Sequence, residues 1–263
     1  MPQEKVRNEL TLEEYKKLIQ ELAQQGTKKV DLSGGEPLVR GDFFEIVGEI
    51  KKADMKTVLS TNGSLLPQLA KNIAEGDVDF VMVSIDSVSS EKHDKIRGID
   101  GIWEKAIEGV KLLKKRGAKV GIISVIVQDN LNQIKSYIEF AKGLGCYFTF
   151  QPFHNETADD FTIRDEGMSF SKEDMQALDD ALDHVIGNRG VGWVDEVYYK
   201  LCPLFLISPQ RFVKVKCPVA ARTIYFIDPY GNVYPCGNRR DLIWGNVRES
   251  KGEIINSDYA KDI

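Results

Sequence analysis

A series of short polar motifs interrupts the first 152 residues: Ser33-Gly34-Gly35-Glu36-Pro37, Ser60-Thr61-Asn62-Gly63, Ser84-Ile85-Asp86, His93-Asp94-Lys95-Ile96-Arg97-Gly98, Asn130 and Gln151-Pro152. Paired glycines permit backbone geometry and close ligand approach that a Cβ would block. The amides and carbonyls of Gly34 and Gly35 could therefore grip an amino-acid-like group, with Glu36 beside them. The same residues also read as an ordinary strand-to-helix turn with a capping acid. Ser60 to Gly63 and Ser84 to Asp86 read equally as Asx or Ser/Thr turns. Arg97 is either a surface cation or a fixed guanidinium, which suits a carboxylate because it can bind both oxygens.

The four cysteines are Cys146, Cys202, Cys217 and Cys236. Four in a chain of 263 residues do not make a disulfide framework; in a reducing cytosol such cysteines are metal ligands, catalytic groups or small core residues. Cys146 lies between a helix and a strand, where a buried thiol is the expectation. Gly231-Asn232 is a favourable hairpin turn, which could bring residues on neighbouring strands together. His93, His154 and His184 are too few and too far apart for a histidine metal site. Trp103, Trp193 and Trp244 read as packing residues.

The elements that must carry these residues follow from periodicity. Thr11 and Glu14 form a capping-box pattern ahead of a helix with Leu12, Tyr15, Leu18, Ile19 and Leu22 on one face, and Gly26 stops it. Strands are expected at Lys29 to Ser33, Thr57 to Thr61, Phe80 to Ile85, Lys119 to Val127 and Tyr147 to Gln151. Helices are expected from Asp42 (as cap), at Leu65 to Glu75, Ile102 to Arg116 and Leu131 to Lys142, with His93 to Gly98 in a loop. Such alternation implies βαβ units and a parallel sheet. Near-continuous apolar strands fit burial on both faces. The polar motifs then fall at the carboxyl ends of successive strands, where parallel α/β folds bind ligands. After Gln151 the pattern changes: His154 to Gly167 is loop-like, Ser171 caps a helix through Ile186, and Asn188-Arg189-Gly190 is a break. A boundary near residue 190 separates residues 1–190 from a short-stranded region at 191–263.

The order SGGEP, STNG, SID, HDKIRG and a strand closing at Asn130 resembles the radical S-adenosylmethionine (SAM) superfamily, over roughly Leu10 to Gln151. The resemblance implies a partial (β/α)6 TIM-like barrel of parallel strands, here an α/β domain lacking its first strand, with a small C-terminal cysteine-containing extension. It implies that Gly34, Gly35 and Glu36 bind the SAM methionyl amino group. Ser60, Asn62, Ser84 and Asp86 would meet the ribose or carboxylate, Arg97 the carboxylate, and the region from Val125 to Asn130 and Gln151 would cradle the adenine. Members use a reduced [4Fe–4S] cluster and an external electron donor to cleave SAM to a 5′-deoxyadenosyl radical that abstracts hydrogen from a substrate.

The family's C-x3-C-x2-C cluster loop is absent, so the chain alone is expected to be inactive. In relatives the segment like Met1 to Thr11 follows that loop almost directly, and the chain is expected to begin where the motif should have ended. Cys217-x13-Gly231-x4-Cys236 resembles the first half of a SPASM-type auxiliary cluster region, which implies Cys217 and Cys236 as iron ligands with Cys202 a third. SPASM-type relatives often modify peptides, so a peptide substrate is favoured over another small molecule. The alternatives are a degenerate, non-catalytic SAM-fold module serving a partner enzyme, and an unrelated β/α enzyme with a phosphate-binding GG turn. A net charge of −5 argues against a nucleic-acid surface, and no apolar run reaches the length of a membrane span. The polar segment from Met1 to Glu9 lacks a signal peptide's apolar stretch, so a cytoplasmic protein is expected.

Overall fold

The computed structural model describes residues 9–152, 171–189, 224–237, 240 and 242–249. Five strands form one sheet in the order β1-β2-β3-β4-β5, and three short ones form a second, β6-β7-β8. The sheet is parallel, as the alternation of strands and helices implies. The chain divides into two compact units: residues 1–59, 76–79 and 216–263, and residues 60–75 and 80–215.

In the first unit, α1 (Leu12–Gln24) begins with the expected capping box: the Glu14 N–H donates to Thr11 Oγ1 at 3.3 Å and the Thr11 N–H to Glu14 Oε2 at 2.8 Å. Strand β1 (Lys29–Leu32) pairs parallel with β2 (Lys56–Thr61), from Lys29 opposite Lys56 to Leu32 opposite Leu59. Helix α2 (Phe43–Lys52) buries Ile46 and Ile50 against Ile19 and Met55. Asp42 stands at the cap position of α2 but makes no side-chain cap. Its two carboxylate oxygens instead accept from Arg40 Nε and Nη2, both at 2.9 Å. A bidentate charge-assisted pair outcompetes a single backbone amide.

The C-terminal strands β6 (Phe226–Ile227), β7 (Asn232–Tyr234) and β8 (Gly245–Asn246) are antiparallel. The turn between β6 and β7 is Asp228 to Gly231, and Asn232 begins a strand rather than completing the turn. Leu10 and Leu18 bury with Val233 and Val247, and the Leu10 N–H donates to the Pro229 carbonyl at 2.7 Å.

In the second unit, α3 (Leu66–Glu75) packs on α5 (Ile102–Lys115). A Cβ on Gly109 would stand 2.1 Å from Leu66 Cβ, so only glycine allows that approach. Strands β3 (Phe80–Ser84), β4 (Val120–Ile126) and β5 (Tyr147–Pro152) pair in parallel, with Ser84 opposite Ile123 and Val125 opposite Gln151. A 3-10 turn (Gln128–Gln133) precedes α6 (Ile134–Gly143), where the periodicity predicts one helix from Leu131. Ser171 caps α7 (Lys172–Arg189) by accepting from the Asp174 N–H at 3.0 Å, and the helix runs beyond Ile186.

The expected loop from His93 to Gly98 is a helix, α4 (Ser90–Arg97), ended by Gly98 at φ +67°. The backbone, not an apolar stripe, defines it, since His93 is its one buried residue. His154, Trp193, the boundary near residue 190, Cys202 and Cys217 lie outside the described residues. Among the described residues no helix is long and apolar enough to cross a membrane.

Candidate cofactor site

The turn after β1 belongs to the first unit. Gly34 adopts φ +124°, a conformation essentially confined to glycine. Both glycines are exposed, and a Cβ built on either meets nothing within 4 Å. Space and backbone polar groups are thus open to a ligand along Gly34-Gly35. Glu36 faces inward along its own chain, accepting from the Leu38 N–H at 3.2 Å and starting a 3-10 turn at Pro37–Val39.

The exits of β2, β3, β4 and β5 belong to the second unit. At the exit of β2 the Thr61 hydroxyl accepts from the Gly63 N–H at 3.0 Å, and Asn62 Oδ1 from the Ser64 N–H at 2.8 Å. These are the Ser/Thr and Asx turns that the sequence allows. Gly63 at φ +84° could not carry a Cβ, which would stand 2.7 Å from that of Ala106. Ser60, Asn62 and Ser84 are half-buried, and Gln151 is exposed on β5.

Beyond Ser84 the chain enters a buried polar network. Asp86 is 1% exposed. Its Oδ1 accepts from the Val125 N–H on β4 at 2.8 Å, and its Oδ2 contacts Arg97 Nε. Its own N–H donates to His93 Nδ1 at 3.0 Å, and its carbonyl accepts from Asn130 Nδ2 at 2.8 Å. Asn130 also donates to the Val125 carbonyl at 2.7 Å and accepts from the Val127 N–H at 3.0 Å, so its amide is fully used inside the protein. Asp86, Arg97 and Asn130 are therefore brought together, but Asp86 and Asn130 turn their side chains inward rather than to a ligand.

His93 belongs to this network and Tyr137 stands within its electrostatic reach, and neither is among the expected site residues. His93 is fully buried; with Nδ1 accepting, the ring is neutral and Nε2 carries the proton. That Nε2 has no hydrogen-bond partner among the described residues. Burial depresses the pKa of His93, Arg97 adding in the same sense against Asp86, Asp94 and Glu104. Tyr137 is buried, and desolvation pushes its hydroxyl well above the ordinary range. The sequence signal was the position of His93, four residues before Arg97 and so on one face of a helix.

Among the cysteines, Cys146 is buried and its thiol is pushed up to about 11 by desolvation, as expected of a core thiol. Cys236 is half-buried just beyond β7. Its hairpin is organised by Asp228. Oδ1 accepts from the N–H groups of Tyr230 and Asn232, and Oδ2 from Asn232 Nδ2 and the Tyr234 hydroxyl, at 2.9 to 3.0 Å. No group of three or more metal-ligating side chains occurs among the described residues.

The sequence matches two family models: the radical SAM superfamily at residues 2–141 and an iron-sulfur cluster-binding domain at residues 217–263. The AdoMet-dependent heme synthase of Methanosarcina barkeri is 39% identical over 139 residues, which are 52% of this chain and 40% of that protein. The chain thus spans less than half of that relative. The crystal structure of Streptococcus suis SuiB bound to S-adenosylmethionine superposes with a TM-score of 0.70 at 16% identity, covering 97% of this chain and 60% of SuiB. Native anSMEcpe with bound AdoMet gives 0.71 at 18% identity, covering 96% and 73%.

Proposed function

The chain belongs to the radical SAM superfamily, and we propose that it binds S-adenosylmethionine through Gly34, Gly35, Glu36, Ser60, Asn62, Ser84, Arg97 and Gln151, as the core of an enzyme acting on a peptide. In this reading residues 1–190 are the SAM core and 191–263 an auxiliary iron–sulfur region. The observation that carries it is the junction of β3 and α4, where a buried carboxylate holds the arginine expected to meet the SAM carboxylate.

The residues present fit the cofactor. The positive φ at Gly34 and the open space over both glycines suit a close-bound amino-acid group. The Val125 carbonyl and N–H are both taken within the network, which leaves shape and apolar contact to cradle an adenine there. With its cluster, bound SAM supplies a 5′-deoxyadenosyl radical. This chain's residues orient the sulfonium ligand and exclude water from it. Cys236 fits one ligand position of an auxiliary cluster, with Cys217 and Cys202 proposed as its companions. The four cysteines do not fit the catalytic cluster: none forms a C-x3-C-x2-C loop, and Cys146 is a core thiol. The peptide substrate rests on the relatives. SuiB is described bound to its precursor peptide SuiA, anSMEcpe with the Kp18Cys peptide, and the Granulibacter bethesdensis relative as PqqA peptide cyclase.

The test is anaerobic reconstitution with iron and sulfide, dithionite reduction, and an assay for 5′-deoxyadenosine beside a version with the cysteine loop appended upstream. The expected result is turnover in the appended version alone. Turnover by the 263-residue chain would refute the cluster assignment. Silence in both, with SAM still bound, favours the second reading, a non-catalytic binding module.

A further inference from the structure

We propose that Asp86 and His93 do not touch S-adenosylmethionine but are positioning residues that hold Arg97 for its carboxylate. This rests on the SAM-binding reading above and assigns the residues behind its anionic end.

Asp86 has no oxygen to offer a ribose. One is taken by the Val125 N–H, the other meets Arg97, and the residue is 1% exposed. A carboxylate this buried is costly unless paired, which keeps the guanidinium beside it. Contact is made through Nε, a buried atom outside hydrogen-bond geometry, while the side chain as a whole is 27% exposed. The Nη groups have no acceptor among the described residues. An arginine held at its Nε edge presents the two-pronged Nη edge that matches a carboxylate.

His93 fixes where that arginine stands. Its Nδ1 accepts from the Asp86 N–H, tying the exit of β3 to α4, and Arg97 follows one helical turn later on the same face. The far end of α4 is pinned as well. The Gly98 N–H donates to the Asp94 carbonyl, and the Asp94 carboxylate accepts from the N–H groups of Gly101 at 2.6 Å and Trp103 at 3.0 Å. With Asp86 fixed to β4, and α4 fixed to the start of α5 through Asp94, Arg97 is preorganised before any ligand arrives.

The test compares SAM with 5′-methylthioadenosine, which keeps the nucleoside thioether and lacks the amino-acid end, by equilibrium dialysis against the 263-residue chain. Asp86→Asn, which retains an acceptor for Val125, should weaken SAM about tenfold and leave methylthioadenosine within about twofold. Combined with Arg97→Gln it should be no weaker than Arg97→Gln alone. His93→Ala should show the same selective loss. His93→Asn, whose Oδ1 stands where Nδ1 does, should restore SAM binding. Equal loss of both ligands, no loss, or additive losses would overturn the proposal, as would a wild-type chain that binds methylthioadenosine as tightly as SAM.

If the wild type binds neither ligand, the SAM reading itself has failed. The positioning claim is then read by nitrogen-15 NMR of arginine. Hydrogen exchange at Arg97 Nε should be slow in the wild type and fast in Asp86→Asn, and unchanged exchange overturns it.

Discussion

Two aspartates organise two very different regions. Asp86 is buried and holds one backbone N–H, one arginine and, through its main chain, a histidine and an asparagine. Asp228 is half-buried and holds four neutral donors, all within six residues of itself. The Asp228 hub is local and closes one turn. The Asp86 hub joins a strand exit, a helix and a neighbouring strand, and its partner carries a charge that a ligand can share. A carboxylate satisfied by neutral local donors builds a scaffold, whereas one satisfied by a distant cation builds a site.

Replacing each aspartate by alanine tests this contrast most strongly. Asp86→Ala should cost about 3 kcal/mol, because it strands a buried Arg97 Nε and the Val125 N–H. Asp228→Ala should cost about 2 kcal/mol, since the donors on half-buried Tyr230 and Asn232 can turn to water. Amide hydrogen exchange at Val125 and Asn232 reads the two separately, and a reversed order would break the comparison. Next in size, Gly231→Ala should destabilise the hairpin by about 1–2 kcal/mol. It places a Cβ 2.8 Å from Val247 Cγ2 at φ +88°. The exchange rate of Asn232 should rise with no change at Val125.

A smaller effect distinguishes the hubs by pH. Burial lowers the pKa of His93 below its unfolded value, so the unfolded chain binds the extra proton first and stability is lost as pH falls through the histidine range. The groups facing it are Asp86 from the exit of β3, Asp94 and Arg97 from α4, and Glu104 from α5. Urea midpoints between pH 7.5 and 5.5 should fall with pH, and the slope should vanish in His93→Asn. The smallest effect lies at the hairpin, where Arg248 lowers the Glu14 pKa from 4.5 to about 2. That stabilisation is fully present above pH 4.5 and is lost as pH falls towards 2. Both side chains are about a third exposed, so Glu14→Gln should remove little of it, and added salt should remove it too.

Much of this was legible in the sequence, for physical reasons that differ by element. The capping box at Thr11 and Glu14 and the apolar strands are local patterns, and the structure repeats them. Helix α4 escaped because Ser90 to Arg97 is polar on nearly every side. Its only signals were Ser89 before it and a left-handed Gly98 after it. Asp42 looked like a cap because an aspartate ahead of Phe43 fits the pattern, but Arg40, two residues earlier, takes both its oxygens. That Asp86 would be buried could not be read at all, since Val125 lies 39 residues away. The same holds for Arg248, which reaches Glu14 across 234 residues.

The bond from Leu10 to the Pro229 carbonyl has a consequence for synthesis. Leu10 and Leu18 complete their cluster only with Val233 and Val247, so this side of the first helix emerges from the ribosome long before its partners exist. Residues 80–152, uninterrupted in the chain, can condense while translation proceeds. The unit holding α1 must close a loop of more than two hundred residues at the end. Until residues 233–247 arrive, Leu18 of α1 lacks its cluster, while Ile19 is already covered by Ile46, Ile50 and Met55. A chaperone that holds such helices, or a slow codon run ahead of residue 224, would therefore alter the yield of the first unit and leave the second unaffected.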